Sequence, residues 1–128
     1  MSRCVLDASA ILALLFSEPG SHVLSDELLD ESVVSTVNLA EVQTAMVRRG
    51  VGSADAWSRA IVVAGETAPF TQEQAGVAGS LVAQTRPLGL SLGDRACLAL
   101  ALEINAPIYT ADRRWKKLKV GVEVRVIR

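Results

Sequence analysis

The chain has 128 residues and a formal net charge of −1, and half of its residues are hydrophobic while few are aromatic. This length allows one domain with a substantial core but not two, so we predict a single domain over residues 1–128. Charged residues interrupt every apolar run before it could span a bilayer, and residues 1–3 do not resemble a signal peptide. Cys4 and Cys97 lie in apolar patterns without zinc-binding spacing, which predicts buried thiols. Together these features predict a cytoplasmic protein with no membrane association.

The charge is distributed unevenly along the chain. Residues 1–100 contain six basic and eleven acidic residues, which gives −5, whereas residues 101–128 contain seven basic and three acidic residues, which gives +4. A local basic surface attracts polyanions even when the whole protein is nearly neutral. A solvated helix face is the equally simple alternative. The basic surplus consists of Arg113, Arg114, Lys116, Lys117, Lys119, Arg125 and Arg128.

Short apolar strands alternate with helical patterns along the chain. The apolar runs and their Gly and Pro stops predict strands at 4–6, 32–34, 67–70, 107–110 and 122–127. Helical spacing predicts helices at 8–16, 22–31, 37–49, 54–64, 72–84 and 91–104. In the helix at 72–84, we predict that Ala75, Ala78 and Val82 face inward. The alternation predicts an α/β fold with a central parallel sheet of about four or five short strands, flanked by helices on both faces.

Acidic residues follow two of the predicted strands. Asp7 comes directly after the strand at 4–6, and Asp112 comes two residues after Thr110, the end of another strand. In open parallel sheets, ligands bind at the carboxyl ends of the strands where the strand order reverses. We therefore expect Asp7 and Asp112 to lie at the edge of the sheet where a site would form.

Each of three acids also has a purely structural explanation. Asp7 fits the N-cap of the helix that begins at Ala8, and Asp112 fits the cap of a turn that follows. Ser91 and Asp94 fit a capping box, although Asp94 shares its helical face with apolar residues such as Cys97.

Glu41 is the acid that no capping rule explains. It lies too deep in the predicted helix for its first turn, it borders an apolar stripe, and it shares a line with Asn38. A solvent-facing glutamate is the alternative that the pattern leaves open.

Four acids in apolar surroundings suggest a shared cation. Acids are seldom placed there unless they are paired or bind a metal. A carboxylate cluster without His or Cys suits a hard cation such as Mg²⁺ or Mn²⁺, and such a cation commonly acts on phosphate. The four acids are Asp7, Glu41, Asp94 and Asp112.

An ordered set of motifs resembles the PIN-domain ribonucleases, in particular the VapC-type toxins of bacterial toxin–antitoxin pairs. The matching segments are 5–10 (VLDASA), 18–20 (EPG), 38–42 (NLAEV), 92–101 (LGDRACLALA) and 109–115 (YTADRRW). They occur in the order found in the family and span nearly the whole chain. The resemblance implies a PIN-like fold with its acids gathered at one end of a parallel sheet.

The resemblance also implies an activity, which is metal-dependent endonucleolytic cleavage of RNA with Mg²⁺ or Mn²⁺ as cofactor. By position, Asp7, Glu41, Asp94 and Asp112 match the acidic cluster of the family. We expect Asp7, Asp94 and Asp112 to bind the metal, with Glu41 acting on the attacking water. Two further residues, Ser9 and Thr110, match accessory polar positions. The chain departs from some members because Arg113 and Arg114 stand where another acid occurs, which weakens the case for a second metal ion.

Partners follow from the same resemblance. It implies a homodimer and a small antitoxin protein that lays a segment across the acidic cleft. The basic stretch after Asp112 would contact RNA through Arg113, Arg114, Lys116 and Lys117. Trp115 is either a stacking surface for a base or a core aromatic.

Other classes fit the residues less well. A haloacid-dehalogenase-like phosphatase requires a second Asp two residues after the first, where this chain has Ser9. A receiver domain requires paired acids near the start and a lysine after a late strand, and neither is evident. The alternative that stays open is a catalytically inactive PIN-like module that binds RNA or a protein.

Overall fold

The computed structural model describes residues 2–128, which contain a five-stranded parallel sheet. The strands are β1 (Cys4–Leu6), β2 (Ser32–Ser35), β3 (Glu66–Ala68), β4 (Ile108–Thr110) and β5 (Val124–Val126). Their order across the sheet is β3-β2-β1-β4-β5, and every neighbouring pair is parallel. Along the chain, β2 and β3 are added on one side of β1, and β4 and β5 are then added on the other side. The strand order therefore reverses between β1 and β4. The predicted parallel sheet is confirmed.

The helices connect consecutive strands. They are α1 (Ala8–Leu15), α2 (Asp26–Asp30), α3 (Thr36–Arg48), α4 (Ser53–Val63), α5 (Gln72–Ser80), α6 (Val82–Thr85) and α7 (Leu92–Ile104). Short 3₁₀ turns occur at Ser21–Val23, Arg86–Leu88 and Arg113–Lys117. Within residues 2–128, no helix is both long enough and apolar enough to span a bilayer.

The core has two parts because successive strand residues point to opposite faces of the sheet. In β2, Val34 packs into a cluster with residues of α1, α3 and α4, while Val33 packs into a cluster with residues of α7. Leu6 and Val5 of β1 divide in the same way. Helices thus cover both faces, as the alternation of strands and helices predicts.

Two predicted helices were wrong in their extent. The segment 22–31 contains a 3₁₀ turn and then α2, because the extended Ser25 caps α2 by accepting a hydrogen bond from the Leu28 N–H at 3.2 Å. The segment 72–84 breaks at Leu81, whose N–H is shared between the carbonyl oxygens of Val77 and Ala78.

The inward face of α5 also differs from the prediction. Gln74 and Ala78 are buried, and Leu81 is buried at the break that follows, whereas Ala75 and Val82 are exposed. Gln74, Ala78 and Leu81 follow the i, i+4, i+7 spacing of a single helical face, and this face excludes Ala75 and Val82.

The Glu18-Pro19-Gly20 segment closes over the end of the chain. Gly20 has φ of +90°, and a Cβ at this position would overlap with the backbone carbonyl of Ile127. Glu18 pairs with Arg49 and with Arg128. A glycine at position 20 therefore allows the turn to pack against the residues that follow β5.

Candidate active site

Asp7 is a buried carboxylate at the carboxyl end of the central strand. Its side chain is 3% exposed and caps α1 by accepting a hydrogen bond from the Ala10 N–H at 2.9 Å. It also accepts bonds from the Ser9 hydroxyl at 2.8 Å and from the Thr110 hydroxyl at 2.6 Å. Burial raises the pKa of Asp7 to about 6, against the lowering effect of these hydrogen bonds, and the charge of Asp94 adds to the rise. Asp7 is therefore both the N-cap of α1 and a residue of the candidate site.

Ser9 and Thr110 join the ends of β1 and β4. The two hydroxyl oxygens lie 3.2 Å apart, and both contact the Asp7 carboxylate. Ser9 accepts the Ala111 N–H at 2.9 Å, and Thr110 accepts the Asp112 N–H at 3.0 Å. These bonds orient Asp7 at the point where the strand order reverses, which is where open parallel sheets bind ligands.

Asp94 lies in the first turn of α7 and completes the predicted capping box. Its Oδ2 accepts the Ser91 N–H at 2.8 Å, and the Ser91 hydroxyl accepts the Asp94 N–H at 3.2 Å. The cap thus engages one carboxylate oxygen. The charge of Asp94 contributes to the raised pKa of both Asp7 and Glu41, so it lies within electrostatic range of both.

Glu41 is half-buried between α3 and α7 and does not simply face the solvent. Its Oε1 accepts a hydrogen bond from the Asn38 side-chain amide at 2.8 Å. The same amide donates to the Gly93 carbonyl at 3.1 Å, and a Cβ at Gly93 would overlap with the Glu41 carboxylate. Burial raises the pKa of Glu41, the Asn38 bond opposes the rise, and the charge of Asp94 adds to it.

Asp112 is held by Arg114. The Arg114 Nε lies 3.0 Å from both carboxylate oxygens, and its terminal nitrogen lies 2.6 Å from Oδ2. The other terminal nitrogen donates to the carbonyls of Leu88 at 3.0 Å and Gly89 at 3.3 Å. The hydrogen bonds from Arg114 lower the pKa of Asp112. As the cap prediction required, Asp112 also accepts the Arg114 N–H at 3.0 Å.

Three of the four predicted acids share one region. The charges of Asp7, Asp94 and Glu41 all act on the thiol of Cys97, whose pKa is raised chiefly by complete burial. Asp112 is at the same edge of the sheet but is paired with Arg114. Arg114 itself has a raised pKa, mainly because of Asp112 and to a smaller extent because of Asp94.

The donors fit a hard divalent cation in kind. They are carboxylates and hydroxyls without a histidine, and oxygen donors of this kind are the ligands that such a cation prefers. Burial is the main cause of the raised pKa values of Asp7 and Glu41, and the charge of Asp94 adds to both. In the arrangement of residues 2–128, however, no three Asp, Glu, His or Cys side chains lie close enough to hold one ion. Binding through three carboxylates would therefore require side chains to move, and Asp112 would have to separate from Arg114.

The basic residues predicted to contact RNA have different surroundings. Lys116 and Lys117 are exposed and form no ion pair within residues 2–128. Arg113 donates to the Arg128 carbonyl at 3.2 Å, and Arg114 is bound to Asp112. Trp115 is 1% exposed, so it is a core aromatic and offers no surface for stacking.

Two residues at the site were missed from the sequence as functional candidates. Asn38 binds Glu41, and Gly93 provides the space in which the Glu41 carboxylate lies. A signal existed for each: Asn38 lies one helical turn before Glu41, and Gly93 is a glycine in the first turn of a helix, where it often marks close packing.

The fold and the site together define a parallel α/β domain with a carboxylate site at the point where the strand order reverses. The family model of the PIN domain matches residues 4–121, and the chain belongs to this family.

Solved structures with the same fold share little sequence with this chain. VapBC2 from Rickettsia felis, bound to a DNA fragment from its promoter, has a TM-score of 0.73 at 19% identity and covers 98% of both chains. DNA-bound VapBC from Salmonella typhimurium has a TM-score of 0.74 at 12% identity and covers 100% of both. VapC20 from Mycobacterium tuberculosis, a toxin that cleaves the sarcin–ricin loop, has a TM-score of 0.70 at 19% identity and covers 94% of this chain and 98% of its own. No curated protein matches the sequence.

Proposed function

We propose that this PIN-domain protein is a Mg²⁺- or Mn²⁺-dependent endoribonuclease that hydrolyses RNA phosphodiester bonds. The observation that carries the proposal is the buried carboxylate of Asp7, which Ser9 and Thr110 orient and whose pKa the charge of Asp94 helps to raise. The charges of Asp7, Asp94 and Glu41 also act together on the thiol of Cys97. A raised pKa caused by burial together with a nearby like charge is typical of functional sites. Membership of the PIN family supports the assignment to nucleases.

Each residue of the site has a role in this proposal. Asp7 and Asp94 would hold the ion, and Asp112 would join them directly or through water once Arg114 is released. When bound, the metal would acidify a water and stabilise negative charge on the phosphate. Glu41 would orient the attacking water and accept its proton. Ser9 and Thr110 keep the Asp7 carboxylate in place through the bonds described above.

We extend the proposal to a toxin of a toxin–antitoxin pair that acts in the cytoplasm. The support is the similarity in fold to VapBC complexes, in which a toxin and an antitoxin assemble. A small antitoxin would cover the acidic cleft, and a homodimer is expected. Light scattering at micromolar concentration tests the dimer, and a monomer at that concentration would count against it.

The exposed basic residues beside the site would hold the RNA backbone. Lys116 and Lys117 follow Asp112 closely in the chain and carry no ion pair within residues 2–128, which leaves their charges available to phosphate. Arg113 and Arg114 would contribute only if they leave their present partners.

Cleavage of a mixed-sequence RNA tests the proposed activity. We expect cleavage with Mg²⁺ or Mn²⁺, none with EDTA, and a loss of at least about 100-fold in Asp7→Asn, because even residues that only support metal ligands contribute about 10–100-fold. Circular dichroism would show that the variant is folded. Activity that persists in Asp7→Asn or in EDTA would contradict the proposal.

A binding module without catalytic activity is the second candidate. The observation that favours it is the Arg114–Asp112 pair, together with the lack of a three-residue ligand cluster within residues 2–128. Thermal unfolding with and without Mn²⁺ separates the two candidates. A nuclease gains stability from the ion by mass action, whereas a module that binds no metal shows no shift.

A further inference from the structure

We propose that Asn38 is a positioning residue that fixes the Glu41 carboxylate on α3 against Gly93 of α7, beside Asp94. The inference rests on the proposed function, because it assigns Glu41 the part that acts on the attacking water. It goes beyond the proposed function in two respects. It assigns to Asn38 the positioning of Glu41, and it makes this position depend on the contact between α3 and α7.

The surroundings of Asn38 allow one orientation of its amide. Asn38 is 1% exposed, and its Nδ2 donates to Glu41 Oε1 at 2.8 Å and to the Gly93 carbonyl at 3.1 Å. Its Oδ1 is buried without a hydrogen-bond partner among residues 2–128. The reversed amide would place this oxygen against two other oxygens and leave the NH₂ group without its acceptors. The observed orientation is therefore retained even though a buried oxygen goes without a hydrogen bond, which is costly.

Gly93 is the second residue that confines the Glu41 carboxylate. A Cβ at this position would overlap with both carboxylate oxygens and the carboxylate carbon of Glu41, so the Glu41 carboxylate fills the space that a larger residue would occupy. Gly93 is buried and directly precedes Asp94. The contact thus places the Glu41 carboxylate of α3 against the residue of α7 that directly precedes Asp94.

A fixed carboxylate is an advantage for the chemistry proposed for Glu41. A free glutamate side chain samples several rotamers, and ordering it costs conformational entropy. The contacts with Asn38 and Gly93 already order the Glu41 side chain in the folded protein, before RNA binds. Catalytic groups act best when neighbouring side chains lock their rotamers in this way.

The chain provides a matched control for the loss of a buried amide. Gln74 is 3% exposed, its Nε2 donates to Glu103 Oε2 at 3.0 Å, and its Oε1 is also buried without a partner among residues 2–128. This pair joins α5 to α7 and does not include any of the proposed site residues. Gln74→Leu therefore removes the same kind of contact without touching Glu41.

A double-mutant cycle tests the inference. The variants are Asn38→Leu, Glu41→Leu and both together, with Gln74→Leu as control, and each is measured for urea unfolding without metal and for Mn²⁺-dependent cleavage of mixed-sequence RNA. Glu41→Leu removes the oxygen that accepts the Asn38 hydrogen bond. We expect Asn38→Leu to lower kcat about 10- to 100-fold, as is typical for residues that support a site, with KM within about twofold. The double variant should match Glu41→Leu within about twofold, and Gln74→Leu should keep its kcat.

The outcomes separate this inference from the proposed function. An unchanged kcat in Asn38→Leu, or losses that multiply in the double variant, would overturn the positioning role while the wild-type protein remains an active nuclease. A kcat loss in Gln74→Leu as large as in Asn38→Leu would overturn it too, because the effect would then be general destabilisation. A wild-type protein that cleaves in neither metal would reject the proposed function. Additive unfolding effects of Asn38→Leu and Glu41→Leu would reject the contact independently.

Discussion

At the scale of single residues, the acids of this protein serve two purposes. Asp7 caps α1, Asp94 completes a capping box and Asp112 caps the turn at Arg113–Lys117, as the sequence predicts. The same carboxylates lie at the carboxyl edge of the sheet, where the charge of Asp94 adds to the raised pKa of Asp7 while Asp112 is paired with Arg114. Capping therefore fixes the backbone position of each of these acids, and the tertiary fold determines which charges surround it.

Asp7 should destabilise the folded protein at neutral pH when no divalent cation is present. Its pKa rises from 3.8 to about 6 on folding, so the folded protein binds more protons than the unfolded chain between these values. The free energy of unfolding therefore falls as the pH rises through this window. We predict that Asp7→Asn is more stable than the wild type above pH 6, by roughly 1–3 kcal/mol, and that the gain disappears below about pH 4.

Urea unfolding in EDTA at pH 4 and pH 7.5 measures this difference. Asp30→Asn removes an exposed acid outside the site and serves as the control, for which we expect a small effect that is similar at both pH values. A stability gain in Asp7→Asn that is equal at both pH values would show that the burial of the charge is not its cause.

Arg114 should compete with a metal ion for Asp112. Its guanidinium hydrogen bonds lower the pKa of Asp112, so the pair stabilises the fold above the unfolded pKa of that carboxyl and loses this contribution as the pH falls. We predict that Arg114→Ala raises the pKa of Asp112 and costs at most about 1 kcal/mol of stability, because the arginine is exposed. We also predict that it increases Mn²⁺ affinity.

Carboxyl NMR titration and calorimetric Mn²⁺ titration check the two effects of Arg114→Ala. Arg113→Ala is the matched control, because Arg113 donates to a backbone carbonyl rather than to an acid. Weaker Mn²⁺ binding in Arg114→Ala than in Arg113→Ala would contradict the competition.

At the scale of elements, the site depends on how α3 meets α7. The apolar residues of α3 pack on one face of the sheet and those of α7 on the other, and the helices come into contact at Asn38, Glu41 and Gly93. This contact brings the Glu41 carboxylate of α3 against the first turn of α7, which contains Asp94. Glycine at position 93 allows that approach, since any Cβ would displace the Glu41 carboxylate.

Gly93→Ala should separate activity from stability. The added methyl group would meet the end of a flexible side chain, so Glu41 can move away while the backbone stays in place. Alanine also favours the helix by about 0.5–1 kcal/mol relative to glycine. We predict a folded protein whose stability changes by about 1 kcal/mol or less and whose cleavage rate falls about tenfold or more, as expected when a supporting contact is lost.

The comparison with Gly79→Ala makes this prediction specific. Gly79 lies in α5, and no neighbouring atom comes within 4 Å of the place that a Cβ would take, so this variant gains the same helix preference without touching Glu41. Melting temperatures and cleavage rates of both variants are the measurements. Equal cleavage rates in the two variants would mean that the position of Glu41 is unimportant.

At the scale of the whole molecule, the charges are sorted along the chain. The acidic surplus lies in residues 1–100 and the basic surplus in residues 101–128, which begin inside α7 and end after β5. Lys116 and Lys117 are exposed and follow Asp112 closely in the chain. They therefore lie near the acidic edge of the sheet. An acidic centre beside basic residues suits a polyanion whose cleavage needs a cation.

Removal of Lys116 and Lys117 should weaken RNA binding in a salt-dependent manner. Each lysine that neutralises a phosphate adds about 0.7 to the slope of log affinity against log salt for a single strand. We predict that Lys116→Ala with Lys117→Ala lowers the magnitude of this slope by about 1.4. Fluorescence anisotropy in the Asp7→Asn background measures binding without cleavage.

A control with the same change in net charge shows whether location matters. Arg3 forms an ion pair with Glu66, and Arg59 forms one with Asp55. Neither arginine belongs to the basic stretch after Asp112. Arg3→Ala with Arg59→Ala should leave the slope within about 0.3 of the parent value. An equal loss in both double variants would make the effect one of net charge alone.

The local pattern of the sequence determined most elements and the identity of the acids. Alternating apolar runs, Gly and Pro stops and capping residues depend on neighbours within a few positions, so the parallel sheet and the caps at Asp7 and Asp94 could be predicted. Where local signals competed, as at Ser25 and Leu81, the predicted helices were too long. The inward face of α5 differs from the prediction because Gln74, a polar residue that donates a hydrogen bond to Glu103, is buried on it.

The tertiary structure decided how the acids are used. The Asp7–Thr110 bond joins residues 103 positions apart, and the Asn38–Gly93 bond joins residues 55 positions apart. The Arg114 bonds to Leu88 and Gly89 likewise depend on the approach of distant segments. No local periodicity encodes such contacts, because they form only when the two helical layers pack on the sheet. The sequence therefore identified the four acids, whereas packing determined that the charges of Asp7, Glu41 and Asp94 act on the same buried thiol of Cys97 and that Arg114 holds Asp112.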